Sequence, residues 1–344
     1  MKQLAEFCSS LKTDFIPKQR NPSMPVRCWS EKDVLEGNIV DAYVIIFRTK
    51  GCSWALQSGC TMCGYFNDSR WDTVSDEHLL TQFGKAMEGY HHEPLVKIFT
   101  SGSFLDDSEI PSSVQQQILQ RLFETASKVS VESRPEFVTS TKLSVIKKIA
   151  GNKTFEVGIG LETANDELRE CAINKGFTFA DYKKAATLLH KHGFLCKTYV
   201  LIKPPFLTEK EAINDCMKTV KKISSYTDTI SFNPTNVQRR TLVEYLWKRK
   251  QYRPVWLWSV IDILTKSAQI TKARIKCDVA GGGSIRGAHN CKTCDRNILD
   301  HIAAFSLSND LKEFADIGCS CKQIWLDHLN IEDLGFGSLI TMGE

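Results

Sequence analysis

What the chain has little of narrows it first. No apolar run approaches the roughly 20 residues that a membrane span needs, and the first 20 residues are polar and of mixed charge, unlike a signal or transit peptide. A cytoplasmic protein with no membrane contact is expected. Low-complexity tracts are absent, and no internal repeat shows beyond a strand–helix alternation. The net charge is only +4, too small to imply nucleic-acid binding by itself. Histidine is scarce, with 8 in 344 residues, and none lies beside the cysteine-bearing loop 52–63. Hydrophobic content of 42% with 24% charged residues is that of a globular chain. There is room for one large α/β barrel-type domain with a small appendage, or for two ordinary domains.

Cysteine, by contrast, is plentiful. Its 13 copies are odd in number and unevenly spaced, which does not suggest a disulfide framework. Metal binding in a reducing compartment explains them better. Cys52, Cys60 and Cys63 share one loop with spacing C-x7-C-x2-C, directly after the apolar run 42–47. A structural zinc ion wants four protein ligands, and no fourth lies nearby. Three thiolates suit a 4Fe-4S cluster whose fourth iron stays open for a small molecule. In radical enzymes that molecule is S-adenosylmethionine. A small zinc loop, or three reduced thiols with no shared role, is the plainer alternative.

Six segments have the character of strands: 42–48, 95–100, 129–132, 155–161, 196–202 and 229–232. Helical periodicity falls between them at 76–90, 113–127, 143–150, 166–172, 179–192 and 209–223. Strands alternating with helices predict parallel βα units. The expected fold class is α/β, a partial (βα)6 barrel over residues 41–240. Residues 1–40 are expected as an N-terminal arm, kept irregular by Pro17, Pro22 and Pro25 and packed on the body by Cys28 and Trp29. Residues 241–344 are expected as a basic, aromatic and cysteine-rich extension.

The cysteine loop resembles the cluster loop of the radical-SAM superfamily, and its long first spacing is similar to that of the elongator catalytic-subunit branch. The resemblance implies a partial (βα)6 barrel with its chemistry at the C-terminal strand ends. It also implies that Gly102 and Ser103, in Thr100-Ser101-Gly102-Ser103-Phe104, meet the amino group of the cofactor's methionine. An ordinary βα turn is the competing reading. Glu132-Ser133-Arg134-Pro135 resembles the E-x-R-P segment of that branch, so Glu132 and Arg134 are expected at the cofactor's ribose and carboxylate. A surface ion pair is the alternative. Gly158-Ile159-Gly160 lacks the third glycine and acidic partner of a dinucleotide fingerprint. Glu162, just after it, is the candidate ribose contact. Asn233 is expected near cofactor or substrate, although turn formation alone would justify it. Asn174-Lys175-Gly176-Phe177 resembles the N-[RK]-G segment of the branch and is expected to be structural.

Composition shifts after residue 238. Over 239–276 there are 10 basic residues against 2 acidic ones, with Tyr245, Trp247, Tyr252, Trp256 and Trp258 between them. That is a footprint for looped RNA, or a solvated helix face over an aromatic core. Five cysteines follow: Cys277, Cys291, Cys294, Cys319 and Cys321. A second metal is expected on Cys277, Cys291, Cys294 and Cys319, with Cys321 an alternative to Cys319. Zinc is preferred and a second iron–sulfur cluster competes.

Three stretches carry a narrower resemblance: Cys52, Cys60 and Cys63 with Gly64-Tyr65; Gly102-Ser103-Phe104-Leu105-Asp106; and Arg286-Gly287-Ala288-His289-Asn290-Cys291. Together they resemble the family of radical-SAM subunits of archaeosine synthase. The resemblance implies tRNA modification at a 7-deazaguanine base in the D-loop, with a 4Fe-4S cluster and S-adenosyl-L-methionine as cofactors. A partner protein would attach lysine to the 7-cyano-7-deazaguanine base, and an electron donor would start the reaction. A 5′-deoxyadenosyl radical would then take hydrogen from the lysine carbon bonded to nitrogen, and C–N cleavage would leave archaeosine. The alternatives are another radical-SAM RNA modification (methylthiolation or an elongator-like reaction) and a non-catalytic zinc-bound RNA-binding protein.

Overall fold

The computed structural model describes residues 2–13, 16, 20–70 and 74–332. Eight strands form a single sheet in chain order: β1 (Arg27–Leu35), β2 (Asn38–Ile46), β3 (Leu95–Phe99), β4 (Lys128–Glu132), β5 (Thr154–Glu162), β6 (Leu195–Ile202), β7 (Thr229–Pro234) and β8 (Arg274–Cys277). β1 and β2 make an antiparallel hairpin at one edge, and all later neighbours are parallel. The sheet curls into a half-barrel.

Among the described residues twelve α-helices accompany the strands. Before the barrel and over its mouth lie α1 (Lys2–Ser10) and α2 (Ser53–Gln57). Then come α3 (Asp76–Met87), α4 (Ser112–Thr125), α5 (Ser140–Ala150), α6 (Asp166–Leu168), α7 (Phe179–Lys191) and α8 (Glu209–Ile223). Beyond β7 lie α9 (Leu242–Lys248), α10 (Leu257–Ile270), α11 (Asp295–Ser308) and α12 (Cys321–Glu332). Threonine caps set several starts. Thr139 accepts the Lys142 amide, so α5 begins at Ser140 rather than at the first apolar residue, and Thr208 with Glu211 forms a capping box for α8. Among the described residues no helix is long and apolar enough to cross a membrane.

The six expected strands are β2 to β7, and two more were not anticipated. β1 occupies much of the expected irregular arm, because Pro22 and Pro25 precede the strand instead of interrupting it; Pro17 lies outside the described residues. Glu36 and Gly37 both take positive φ (51° and 81°), as a two-residue hairpin turn requires. β8 comes from the expected extension, so the sheet runs beyond residues 41–240 at both ends.

Alternation along the strands decides what the barrel encloses. Val129, Val131, Phe155, Val157, Ile159, Ile230 and Phe232 are fully buried in the main core with Leu122, Leu143, Tyr182 and Val220 of the helices. The opposite face carries Lys97, Ser130, Glu156, Lys197 and Lys276, so the lumen is polar. Its closed end is an ion-pair network. Lys97 pairs with Asp33, Lys276 lies 2.9 Å from Asp33, and Glu156 receives Lys128 at 2.6 Å and Lys197 at 2.8 Å. Burial alone would raise the Glu156 carboxyl, but Lys197 and Lys128 outweigh it and hold it well below the usual carboxylate range.

Removing that carboxylate strands two buried ammonium groups. Glu156→Gln should cost about 3–5 kcal/mol in denaturant unfolding. Because the folded Glu156 titrates below its unfolded value, its contribution is present above about pH 4 and lost as pH falls through the folded value. The unfolding free energy of the parent protein should therefore drop below pH 4 more steeply than that of Glu156→Gln.

Candidate functional site

After β2 the chain crosses the barrel mouth, turning through Gly51 and Gly59 at positive φ (106° and 85°). Cys52 stands at the head of α2, and Cys60 and Cys63 follow it. The segment after β5 cradles this loop. The helix expected over 166–172 gives way to a π turn at Arg169–Ile173, which ends on left-handed Asn174 (φ 56°). That break aims backbone carbonyls and the Asn174 amide at the loop. The Thr61 amide donates to the Ile173 carbonyl at 2.9 Å, and its hydroxyl to the Ala172 carbonyl at 2.7 Å. Asn174 Nδ2 donates to Ser58 Oγ at 2.6 Å and to the Gly59 carbonyl at 2.7 Å. Trp54 Nε1 returns a bond to the Asn174 carbonyl at 2.7 Å. Gly176 must lack a side chain, since a Cβ there would lie 2.6 Å from the Trp54 ring.

On its other side the loop is fastened by Glu109, which the sequence hid in the acidic run Asp106-Asp107-Ser108-Glu109. Thr49 Oγ1 donates to one oxygen of Glu109 at 2.5 Å and the Ser103 amide to the other at 2.6 Å. Burial pushes the Glu109 carboxyl up to about 7. Gly102 backs directly onto the loop, because a Cβ would stand 2.6 Å from Cys52 Cα. Ser103 Oγ in turn accepts the Arg134 amide at 3.0 Å. The segment after β3 thus joins the cysteine loop to the end of β4.

The other expected site residues surround this junction. Arg134 spends its guanidinium within the protein, donating to Glu136 Oε1 and, at 2.9 Å, to the Lys175 carbonyl, while its cation lies over Trp54 and Phe177. Glu132 faces the lumen, hydrogen-bonded by the Tyr199 hydroxyl, and burial raises its carboxyl. Glu162 pairs with Lys175 at 2.6 Å. Gly158 and Gly160 make room for these groups: a Cβ would meet the Tyr199 ring at 2.8 Å in one case, and Glu162 and Lys175 at 2.8 Å in the other. Asn233 lies near the end of β7, in register with Leu201 of β6. Tyr65 and Asp278, not anticipated, also belong to this region: Tyr65 lies within electrostatic reach of Cys63, Glu132 and Asp278.

The residues present fit a 4Fe-4S cluster. Burial, with Cys60 next, pushes the Cys63 thiol up to about 12, and burial raises the Cys52 thiol as well, so a metal group bound there would displace their protons. Cys52, Cys60 and Cys63 do not crowd one point as the ligands of a lone ion do; among the described residues only Cys291, Cys294, Cys319 and Cys321 come within 4.8 Å of one another as such a set. A cluster gives each thiolate its own iron atom and suits the wider spacing.

The C-terminal set corrects one expectation. Cys277 is not among the four converging thiols: its amide bonds Ser306 and its side chain lies buried in the core at the end of β8. Cys321, at the start of α12, takes that place, so Cys319 and Cys321 both belong. Sulfur separations are 3.7 Å for Cys291–Cys294 and Cys291–Cys319, and 3.6 Å for Cys294–Cys321. Trp258 Nε1 donates to Cys321 Sγ at 3.3 Å and Asn290 Nδ2 to Cys294 Sγ at 3.6 Å, outer bonds of the kind that support metal thiolates. His289 turns away, with Nδ1 2.8 Å from the Gly287 carbonyl.

The basic stretch divides. Arg274 and Lys276 pair with Asp33 at the closed end of the lumen, and Tyr252 and Trp258 are buried. Arg239, Arg240, Lys248, Arg249 and Lys250 remain exposed. They flank the mouth, where Asn67 bonds the Arg239 carbonyl and the Val243 amide bonds the Thr61 carbonyl.

Gly102→Ala tests the junction of loop and strand end. Its Cβ must displace Cys52 or the segment 100–104, and a shift near 1 Å costs about a hundredfold in a positioned reaction. If the loop carries the expected cluster, anaerobically reconstituted Gly102→Ala should cleave S-adenosylmethionine about a hundredfold more slowly while its circular dichroism stays unchanged.

Residues 46–216 match the Radical SAM superfamily. Over 321 residues the chain is 41% identical to an archaeosine synthase subunit beta of Methanosarcina acetivorans, covering 92% of this chain and 93% of that protein. A second archaeosine synthase subunit beta, from Thermococcus kodakarensis, is 38% identical over 305 residues, 86% of this chain and 94% of that one. Among solved structures, an archaeal Methanocaldococcus infernus Elp3 with its N-terminus deleted aligns over 66% of this chain and 57% of that chain, at 17% identity and a TM-score of 0.48. The chain belongs to the archaeosine synthase subunit beta family of the Radical SAM superfamily.

Proposed function

We propose that the chain is the radical-SAM subunit that completes archaeosine in tRNA. It cleaves the C–N bond of a lysine arm carried by a 7-deazaguanine base in the D-loop and leaves the formamidine on the base, the lysine skeleton departing two electrons more oxidised, at the aldehyde level, with S-adenosylmethionine as the oxidant. The observation that carries this reading is kinship with archaeosine synthase subunit beta along nearly the whole of both chains. Cys52, Cys60 and Cys63 would hold the 4Fe-4S cluster. Gly102, Ser103, Glu132, Glu162 and Asn233 would receive S-adenosylmethionine, with Arg134 holding Trp54 and the loop beneath. When bound, the cluster and S-adenosylmethionine supply a hydrogen-abstracting radical.

The rest is the work of this chain's residues. The polar lumen, with Glu132, Tyr199 and Asp278 along it and exposed Tyr65 near its mouth, would accept a hydrophilic arm, and enclosure would limit competing hydrogen donors. A base must leave its stack to reach such a lumen. Exposed Arg239, Arg240, Lys248, Arg249 and Lys250 beside the mouth would neutralise tRNA phosphates there. A partner subunit would supply the lysine-bearing base, as the word "subunit" in the relatives' names supports, and an external donor would supply the electron. The four C-terminal thiols we assign to zinc: a tetrahedral ion with Zn–S bonds near 2.3 Å sets its sulfurs about 3.8 Å apart, close to the 3.6–3.7 Å observed. A sulfur-donating second cluster, which methylthiolation needs, would ask for wider spacing.

With tRNA carrying lysine deuterated at its ε-carbon, a reductant and S-adenosylmethionine, archaeosine should form and deuterium should appear in 5′-deoxyadenosine. Lysine-bearing tRNA left untouched while another tRNA substrate is modified would overturn the reading. For the zinc site, a protein with Cys52, Cys60 and Cys63 all replaced by Ala should retain zinc by elemental analysis. Adding Cys321→Ser should abolish it, and adding Cys277→Ser should not. Iron with sulfide in the triple variant would refute zinc.

A further inference from the structure

The cysteine loop has a third support, and it comes from the N-terminus. Lys12, just past the end of α1, is only 8% exposed and inserts its ammonium beneath the loop. Nζ lies 2.9 Å from the Ala55 carbonyl and 2.6 Å from the Ser58 carbonyl, at the C-terminal end of α2. The Phe66 ring centroid is 5.1 Å away. Gly59 makes the approach possible, since a Cβ at that position would collide with Nζ.

The two carbonyls use two of the three ammonium hydrogens. Among the described residues no third acceptor bonds Nζ and no carboxylate lies within 4 Å of it. The groups whose ionisation would act on it are the thiols of Cys8, Cys63, Cys60 and Cys52, three of them in the loop. A buried cation without an anion is costly. A cluster on three thiolates is an anion, and it gains a further negative charge on reduction. Net charge near such a cluster is one of the terms that set its potential.

We propose that Lys12 is the built-in counter-charge of the cluster, a positioning residue that holds the loop 52–63 in its binding form and raises the cluster's reduction potential. The proposal rests on Cys52, Cys60 and Cys63 holding the cluster. An ammonium close to the thiolates stabilises the reduced, more negative state over the oxidised one, so the electron delivered by an external donor enters more readily. Its hydrogen bonds to two carbonyls keep that charge in place while the loop carries its load.

Lys12→Gln keeps a hydrogen-bond donor without the charge, and Lys12→Arg keeps the charge. Full-length proteins would be reconstituted anaerobically, assayed for iron and sulfide, and titrated with dithionite while the cluster signal is followed by electron paramagnetic resonance. Lys12→Gln is expected to hold a full cluster at a midpoint potential shifted negative of the parent, with Lys12→Arg close to the parent. Loss of iron from Lys12→Gln but not from Lys12→Arg, with unchanged circular dichroism, would equally support the charge. An unchanged potential in fully loaded Lys12→Gln would overturn the proposal, as would loss of iron from both variants. A failure of the cluster assignment shows differently, as a parent protein whose iron signal survives Cys60→Ala.

Discussion

A sheet that curls around charged side chains must neutralise them where water is excluded, and the closed end of this barrel is organised by that demand. Asp33 gathers Lys97, Arg274 and Lys276, while Glu156 gathers Lys128 and Lys197. These pairs tie β1, β3, β4, β5, β6 and β8 together across the lumen, including both strands that lie outside the βα alternation. The open end faces a different demand. There Glu132 and Asp278 have carboxyls raised by burial, with no lysine salt bridge to either among the described residues. The network below them closes the sheet without an apolar plug.

On top of this frame the cysteine loop has almost no regular structure of its own beyond the short α2. Its shape comes from neighbours on three sides: the π turn and Asn174 after β5, Glu109 with Gly102 after β3, and Lys12 from the N-terminus. The absence of side chains at Gly59, Gly102 and Gly176 lets each neighbour approach. A loop built this way can position its three thiols without a stiff scaffold of its own. It also means that residues far from the cysteines in sequence govern them. Glu109, with its carboxyl pushed up to about 7, links the loop and the strand-end segment through a single side chain.

The C-terminal region is stapled to the barrel rather than appended to it. Its strand β8 completes the sheet, and its four thiols converge from the loop before α11 and the start of α12 while Trp258 of α10 bonds one sulfur. Basic residues that look alike along the chain separate by depth. Alternation sends Arg274 and Lys276 inward to Asp33, whereas Arg239, Arg240, Lys248, Arg249 and Lys250 stay at the mouth.

The amino-acid sequence by itself determined the βα alternation of β2 to β7, because apolar period and capping residues act locally. It determined the three-cysteine loop for the same reason: C-x7-C-x2-C is a short-range pattern, and no fourth ligand lies near it. Gly102, Ser103, Glu132 and Arg134 were legible as strand-end polar residues, although not which partners each would take. Only the tertiary structure decided that Cys321 and not Cys277 joins Cys291, Cys294 and Cys319, since one core-facing position in β8 excludes a thiol that spacing alone admits. Only it could bring Lys12, Glu109 and Asn174 to one loop, because contacts across 40 to 120 residues depend on how the sheet curls. The strand β1 was hidden by prolines that turned out to flank it, and β8 by lysine and arginine whose partner, Asp33, lies at the opposite end of the chain.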